Sequence, residues 1–112
     1  MKQYGQTLNL KDDPAIIARY IEHHRNVWPE VEHGLRAIGI HRMLIWLLGR
    51  RLFMFMETTD DFEPDRDFAR YMDSDRRIRG WQTLMESLQE PVAEARPGEW
   101  WARMQLVYSL GD

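Results

Sequence analysis

Three patterns in the 112-residue sequence predict an α+β fold built on one antiparallel sheet. A segment of alternating polarity opens the chain, two runs rich in branched and aromatic residues flank a Gly49-Arg50 pair, and an aromatic run, WWARMQLVYSL, comes last. Between them lie segments whose apolar residues recur every three or four positions, the spacing of a helix with one buried face. Strand, helix, hairpin, helix, strand is the split βαββαβ order of a ferredoxin-like antiparallel sheet with helices on one face.

The elements follow in order. Tyr4, Gln6, Leu8 and Leu10 share one parity and predict a first strand. Asp13-Pro14 starts a helix, with Asp13 as N-cap and Pro14 at the first helical position, where a missing N–H does no harm. Ile16, Ile17, Tyr20, His24 and Val27 then give that helix an apolar face that contains a histidine. Pro29 restarts the helix, with Trp28 packing over the junction, and Val31, Leu35 and Ile38 carry it to Gly39, which stops it. The runs IHRMLIWLL and RLFMFMET predict a hairpin, Gly49 supplying the positive backbone angle of a tight turn. Phe62, Phe68, Ala69 and Met72 mark a short helix, and Asp73-Ser74 can cap another in which Ile78, Trp81, Leu84, Met85 and Leu88 share a face. Glu90-Pro91 ends it, VAEARPGE forms a loop, and residues 100–110 make a final strand.

Length and composition narrow the function. One domain over 1–112 is expected at this size, and 44% hydrophobic with 29% charged residues is ordinary for a globular chain. A net charge of -3 without a basic stripe argues against nucleic acid as a partner. There is no cysteine, which excludes disulfides, thiolate metal sites and a cysteine nucleophile and suits a reducing cytoplasm. The start lacks the apolar core of a signal peptide, and the longest apolar run, MLIWLL, is too short to span a bilayer, so a cytoplasmic protein without membrane attachment is expected. Large apolar residues, Trp46 and Phe53 to Met56, fall on both faces of the hairpin. One helical layer covers a single face, and a homodimer packed sheet on sheet would cover the other.

Tyr20 and His24, four apart on a helix, project from one face about 6 Å apart at Cβ, and both can exchange protons. The strand carrying His41, Met43 and Ile45 is expected opposite, with Trp81 closing the same cavity. An aromatic wall beside a few hydrogen-bonding groups suits a sugar. Each residue also has a purely structural reading: a core histidine with one satisfied hydrogen bond, a core tyrosine, a core tryptophan. His23 and His33 read as surface, and adjacent histidines diverge on a helix, so no metal site is expected. The charge-dense stretches around Asp60, Asp65 and Asp73 sit at helix starts and read as solvated faces. No glycine-rich phosphate loop and no Gly-x-Ser-x-Gly elbow occur.

The strand QYGQTLNLK, the element Tyr20-x-x-x-His24-x-Asn26-x-Trp28-Pro29-Glu30, the segment Gly39-Ile40-His41, the Trp81 helix and the ending GEWWARMQLVYSL together resemble the rhamnose mutarotase family, nearly from end to end. The resemblance implies a dimeric α+β barrel that interconverts the α and β anomers of 6-deoxy-L-sugars, with His24 as catalytic proton donor to the ring oxygen and Tyr20 binding substrate. Two positions depart from the family pattern: Met43 stands where a sugar-binding strand tyrosine falls, and Gly80 where the first of a Trp-Trp pair falls, leaving Trp81. Members sharing the GEWWA ending are linked to L-fucose as well as L-rhamnose, so both sugars stand as candidates. Mutarotation moves protons between oxygens, so neither metal nor other cofactor is required, and an imidazole with an ordinary pKa near 6.5 can serve. Glu30 and His41 are candidates for the second acid or base, and Asn26 for either a helix cap or a sugar contact. Dimeric ferredoxin-like proteins also include monooxygenases and small-ligand-binding modules, which form the alternative.

Overall fold

A computed structural model describes residues 1–111. The chain runs β1 (Lys2–Leu10), α1 (Pro14–His23), α2 (Pro29–Ala37), β2 (Ile40–Leu48), β3 (Arg51–Thr58), α3 (Pro64–Ser74), α4 (Arg76–Leu88), β4 (Gln89–Glu90) and β5 (Ala102–Arg103). The antiparallel sheet has the order β2-β3-β1-β4, and β5 also pairs with β1. The predicted α+β class is therefore present, with each helical segment split in two.

Local chemistry sets most boundaries. Asp13 accepts from the Ala15 backbone N–H at 2.9 Å and caps α1, with Pro14 in the first turn. Gly39 ends α2 with φ at 103°, a left-handed conformation that side-chain-bearing residues resist. Gly49 at φ 61° turns the β2–β3 hairpin, and among the described residues no non-glycine residue has positive φ, which is the pattern of a mirror-image turn with glycine first. The cap of α4 differs from expectation. Asp75, not Asp73 or Ser74, accepts from Arg77 N–H at 2.8 Å, because Asp73 and Ser74 are still inside α3 and lack the extended backbone an N-cap needs.

Register then sorts the side chains. Leu52, Met54 and Met56 alternate inward on β3, and their partners Leu47, Ile45 and Met43 on β2 and Leu8, Gln6 and Tyr4 on β1 share that face. The helices cover it with Tyr71, Ile78, Met85 and Leu88. Leu8, Leu52, Met56, Phe62 and Ile78 are essentially sealed from solvent, each such apolar side chain contributing about 1.5–3 kcal/mol. The opposite face stays bare: Trp46 stacks on Phe53 with ring centroids 5.6 Å apart, and Trp46 is 53% exposed.

The end of the chain corrects the sequence reading. Instead of one strand over 100–110, only Ala102 and Arg103 pair with β1, and the short strand β4 occupies the adjacent stretch of the same edge. One further backbone bond, Met104 N–H to Gly5 C=O at 2.8 Å, follows before the chain leaves the sheet. Leu106, Val107, Tyr108 and Leu110 are exposed. Among the described residues no helix is long and apolar enough to cross a membrane.

Candidate active site

Helix α1 ends at His23, and the three residues after it form a turn before Pro29 opens α2. A helix end leaves backbone carbonyls without partners. The Tyr20 carbonyl is one of these, and it accepts from the Nδ1 of His24 at 2.8 Å as well as from the His24 backbone N–H at 3.3 Å. A carbonyl can only accept, so Nδ1 carries the hydrogen and, in the neutral ring, Nε2 carries the lone pair. Burial pushes the His24 pKa below its ordinary 6.5; the Tyr20 carbonyl opposes this shift and the neighbouring His23 adds to it. His24 is therefore neutral at pH 7, with Nε2 as a base.

The other predicted residues assemble around it. The Tyr20 ring lies 4.2 Å from the His24 ring, centroid to centroid, and Trp81 meets His24 edge to face at 5.5 Å. Tyr20 is nearly sealed, and burial pushes its hydroxyl up to about 12, with the Gln89 side chain pulling the other way. Tyr20, His24, His41, Met43 and Trp81 all line one broad cleft of about 1240 Å³ between the helices and the sheet. His41 reaches it through an irregularity in the β2–β3 register between Ile40 and Arg42. Bulges of this kind re-aim a side chain.

Trp81 is only 6% exposed, held edge to face by Trp28 at 5.3 Å and by His23 at 6.3 Å, so most of its ring is committed to packing. His23 is accordingly half-buried against Trp81 and not fully solvated as expected. Glu30 lies elsewhere. It faces Arg77 at 3.4 Å in a separate groove with His33 and Asp75, which takes it out of contention as the second acid or base. Asn26 is exposed and does not cap α2, whose N-cap is Trp28.

Comparison with known proteins places the chain in a family and agrees with the fold. The L-rhamnose mutarotase family model matches residues 3–110. The chain belongs to the L-rhamnose mutarotase family. A UPF0734 protein of Dictyostelium discoideum is 42% identical over 97% of the chain and 90% of its own length, and an L-fucose mutarotase of Xanthomonas campestris is 36% identical over 100% and 90%. The crystal structure of an L-rhamnose mutarotase from Formosa agariphila superposes with a TM-score of 0.71 at 16% identity, covering 99% of this chain and 100% of that one. A dimeric ferredoxin-like protein from an uncultured marine organism superposes at 0.62 with 14% identity, covering 98% of each chain. These two show a shared fold.

Mutarotases are isomerases, and in this member Tyr20 and His24 stand on the cleft wall. The two departures have structural settings. Met43 faces the cleft from β2, opposite Met56. Gly80 lies under Trp28, whose ring would come within 3.5 Å of a Cβ there, so a large side chain at 80 would displace Trp28. Among the cleft residues that sequence reasoning missed are Gln6, Gln89, Trp100 and Arg103. Gln6 had a signal, being a polar residue on the buried parity of β1, and it is 8% exposed. Gln89 and Trp100 had none, since their approach depends on how β4 and the loop after it meet the edge of β1.

Proposed function

We propose that this chain exchanges the α and β anomers of a 6-deoxy-L-sugar in the cleft, with His24 as the proton-transfer group. The observation that carries the reading is the His24 Nδ1 bond to the Tyr20 carbonyl, which leaves Nε2 available on the wall of a cleft with ample room for a sugar. Nε2 takes the anomeric hydroxyl proton, the O–H pair becomes the C1=O bond, and the bond from C1 to the ring oxygen breaks with its pair on that oxygen, which an acid protonates. The aldehyde then recloses on its other face: the ring hydroxyl attacks C1 and gives its proton back to the acid, and the imidazolium returns its proton to the new anomeric oxygen. On this reading His24 donates to the anomeric oxygen on reclosure, and not to the ring oxygen as the resemblance led us to expect.

Tyr20, Met43, Trp81 and His41 form the sugar-binding walls on this reading, Trp81 offering a ring edge and His41 a polar group from the bulge. L-Fucose is the first substrate to test, since the fucose mutarotase relative is 36% identical to this chain, and L-rhamnose is the second. We further infer that the unit is a single-domain homodimer joined through the bare sheet face, working in the cytoplasm. The exposed Trp46 and Leu48 support the dimer, and the absence of cysteine supports the compartment.

Saturation transfer between the α and β H1 signals of each sugar, with and without protein, tests the function. Accelerated exchange with either sugar is expected. Binding of a sugar without acceleration would make the chain a binding module instead.

A further inference from the structure

The cleft wall holds a polar side chain without a protein partner, Gln6. It lies on β1 between Tyr4 and Leu8, on the face that meets the helices, and β1 is an inner strand: Gln6 pairs with Met54 of β3 on one side and with Arg103 of β5 on the other. Its backbone is fixed from both flanks, and its side chain leaves the sheet toward the cleft, which it lines beside Met54 and Arg103. The residue is only 8% exposed. Other polar groups of that wall are satisfied inside the protein, the Nδ1 of His24 by the Tyr20 carbonyl at 2.8 Å and the Oε1 of Gln89 by the Trp100 indole N–H at 2.9 Å. No hydrogen bond of the protein reaches the Gln6 amide among the described residues, and yet neither of its prongs is sealed: Glu30 Oε2 alone is a buried side-chain polar atom without a partner. The amide therefore keeps an opening, and on this face of β1 the opening is the cleft.

We propose that Gln6 is a substrate-binding residue whose amide takes a pair of neighbouring sugar hydroxyls, away from the anomeric carbon that His24 serves. The proposal rests on the mutarotase reading of the cleft, and it supplies a polar contact where Met43, without a hydroxyl, stands in place of the family's strand tyrosine. A carboxamide carries an acceptor oxygen and an NH₂ donor side by side. Neighbouring ring hydroxyls can each donate and accept, so one pair meets both prongs at once. The amide has no proton to give at neutral pH, and its work is to bind and to select. An amide withdrawn from bulk water and left unpaired weakens the free protein, and a hydroxyl pair that satisfies it recovers that loss on binding. A sugar lacking one of the two hydroxyls leaves a prong unpaired and is rejected. Because β1 is paired on both sides, the amide is held in place before the sugar arrives.

The test compares wild type with Gln6→Met and Gln6→Leu on L-fucose, L-rhamnose and the 2-, 3- and 4-deoxy derivatives of L-fucose. Anomer exchange gives kcat and KM, NMR titration gives the Kd of each sugar, and urea unfolding gives stability. Methionine has nearly the length and volume of glutamine, and the displaced amide has no partner to lose. Gln6→Met should therefore hold or raise the urea midpoint, while KM for the preferred sugar rises roughly tenfold and kcat stays within about twofold. In wild type, removing a hydroxyl that meets Gln6 should cost roughly tenfold in kcat/KM; in Gln6→Met the same removal should cost less than about twofold, because its partner is already gone. Gln6→Leu repeats the comparison should Gln6→Met not fold. Unmoved KM and Kd in a folded variant, or equal hydroxyl losses in both proteins, would overturn the proposal. So would a urea midpoint that falls in step with affinity, the mark of a structural amide. An active wild type with unmoved variants removes the Gln6 role alone. A wild type that binds sugar without accelerating exchange removes the mutarotase reading, and the Kd values then decide the Gln6 role. A wild type that neither binds nor accelerates removes both.

Discussion

Burial favours the neutral His24 imidazole, and the end of its own helix one turn after Tyr20 leaves a carbonyl that holds its Nδ1–H. His24→Ala or His24→Asn is expected to cut the rate of anomer exchange by roughly 10²–10⁴-fold while the fold survives, read by saturation transfer beside circular dichroism. An undiminished rate would assign catalysis to another group. The pH dependence has a definite sign. Burial favours the neutral ring, so kcat/KM should rise with pH through a midpoint below 6.5 and be flat by neutrality. The same shift acts on stability. The unfolded chain takes up the proton first, so this histidine weakens the fold as pH drops below 6.5 and contributes nothing of that kind above it. Trp81 is a different case. Its burial makes Trp81→Ala a loss of about 3–5 kcal/mol by denaturant unfolding in addition to a higher KM. A higher KM with unchanged stability would show that its ring serves the sugar and not the core.

Among the elements, the seam between α2 and the α3–α4 pair holds the cleft's helical wall in place. Gly34 sits at that seam, and a Cβ there would fall 2.7 Å from Ile78 Cδ1 and 3.0 Å from two carbons of the Tyr71 ring. Gly34→Ala should therefore destabilise by about 1–3 kcal/mol despite the helix-favouring substitution, with a lower urea midpoint as the readout. The start of α3 is held by Asp67, which is 2% exposed, accepts from the Glu63 backbone N–H at 2.8 Å and pairs with Arg66 and Arg70 at 3.0 Å each. The Arg66 bond first, then the Glu63 bond, holds its carboxyl well below the usual carboxylate range. That stability is complete above the ordinary aspartate range near pH 4 and drains as pH falls through the folded value. Asp67→Asn should lower Tm at pH 7 and flatten the acid limb of the Tm–pH curve; parallel curves for the two proteins would contradict this.

At the scale of the whole molecule, one face of the sheet has no helical cover. Trp46 and Leu48 stand 53% and 83% exposed there, and the apolar end of the chain from Met104 to Leu110 is exposed too. Isolated apolar side chains at a surface are ordinary, but a contiguous patch on a sheet marks an interaction surface. A second copy of the chain presents the same patch, so a two-fold contact is self-complementary. Light scattering should give the dimer mass for wild type and the monomer mass for Trp46→Glu, which buries a charge in the contact. A monomeric wild type at micromolar concentration would leave the face for another partner.

The sequence by itself determined the fold class, the Tyr20–His24 pair and the glycines at 39 and 49, because these depend on periodicities and backbone angles written within a few residues. The same local reasoning reached Trp81 through its place on the apolar face of α4. It failed where the deciding contact lies far along the chain. Residues 100–110 have the composition of a strand, yet their pairing depends on how much of the β1 edge β4 leaves open, and only two residues pair. Asp73 and Asp75 are both good caps, and the end of α3 chose between them. Glu30 is close to His24 in sequence but turns to Arg77, because Pro29 starts a new helix with its own faces. Gln89 and Trp100 are 11 positions apart with no motif between them, and only the packing of a loop against a sheet edge brings one within hydrogen-bonding distance of the other. Local pattern carries the elements, and the long-range closure of chain on chain decides which polar groups meet in the cleft.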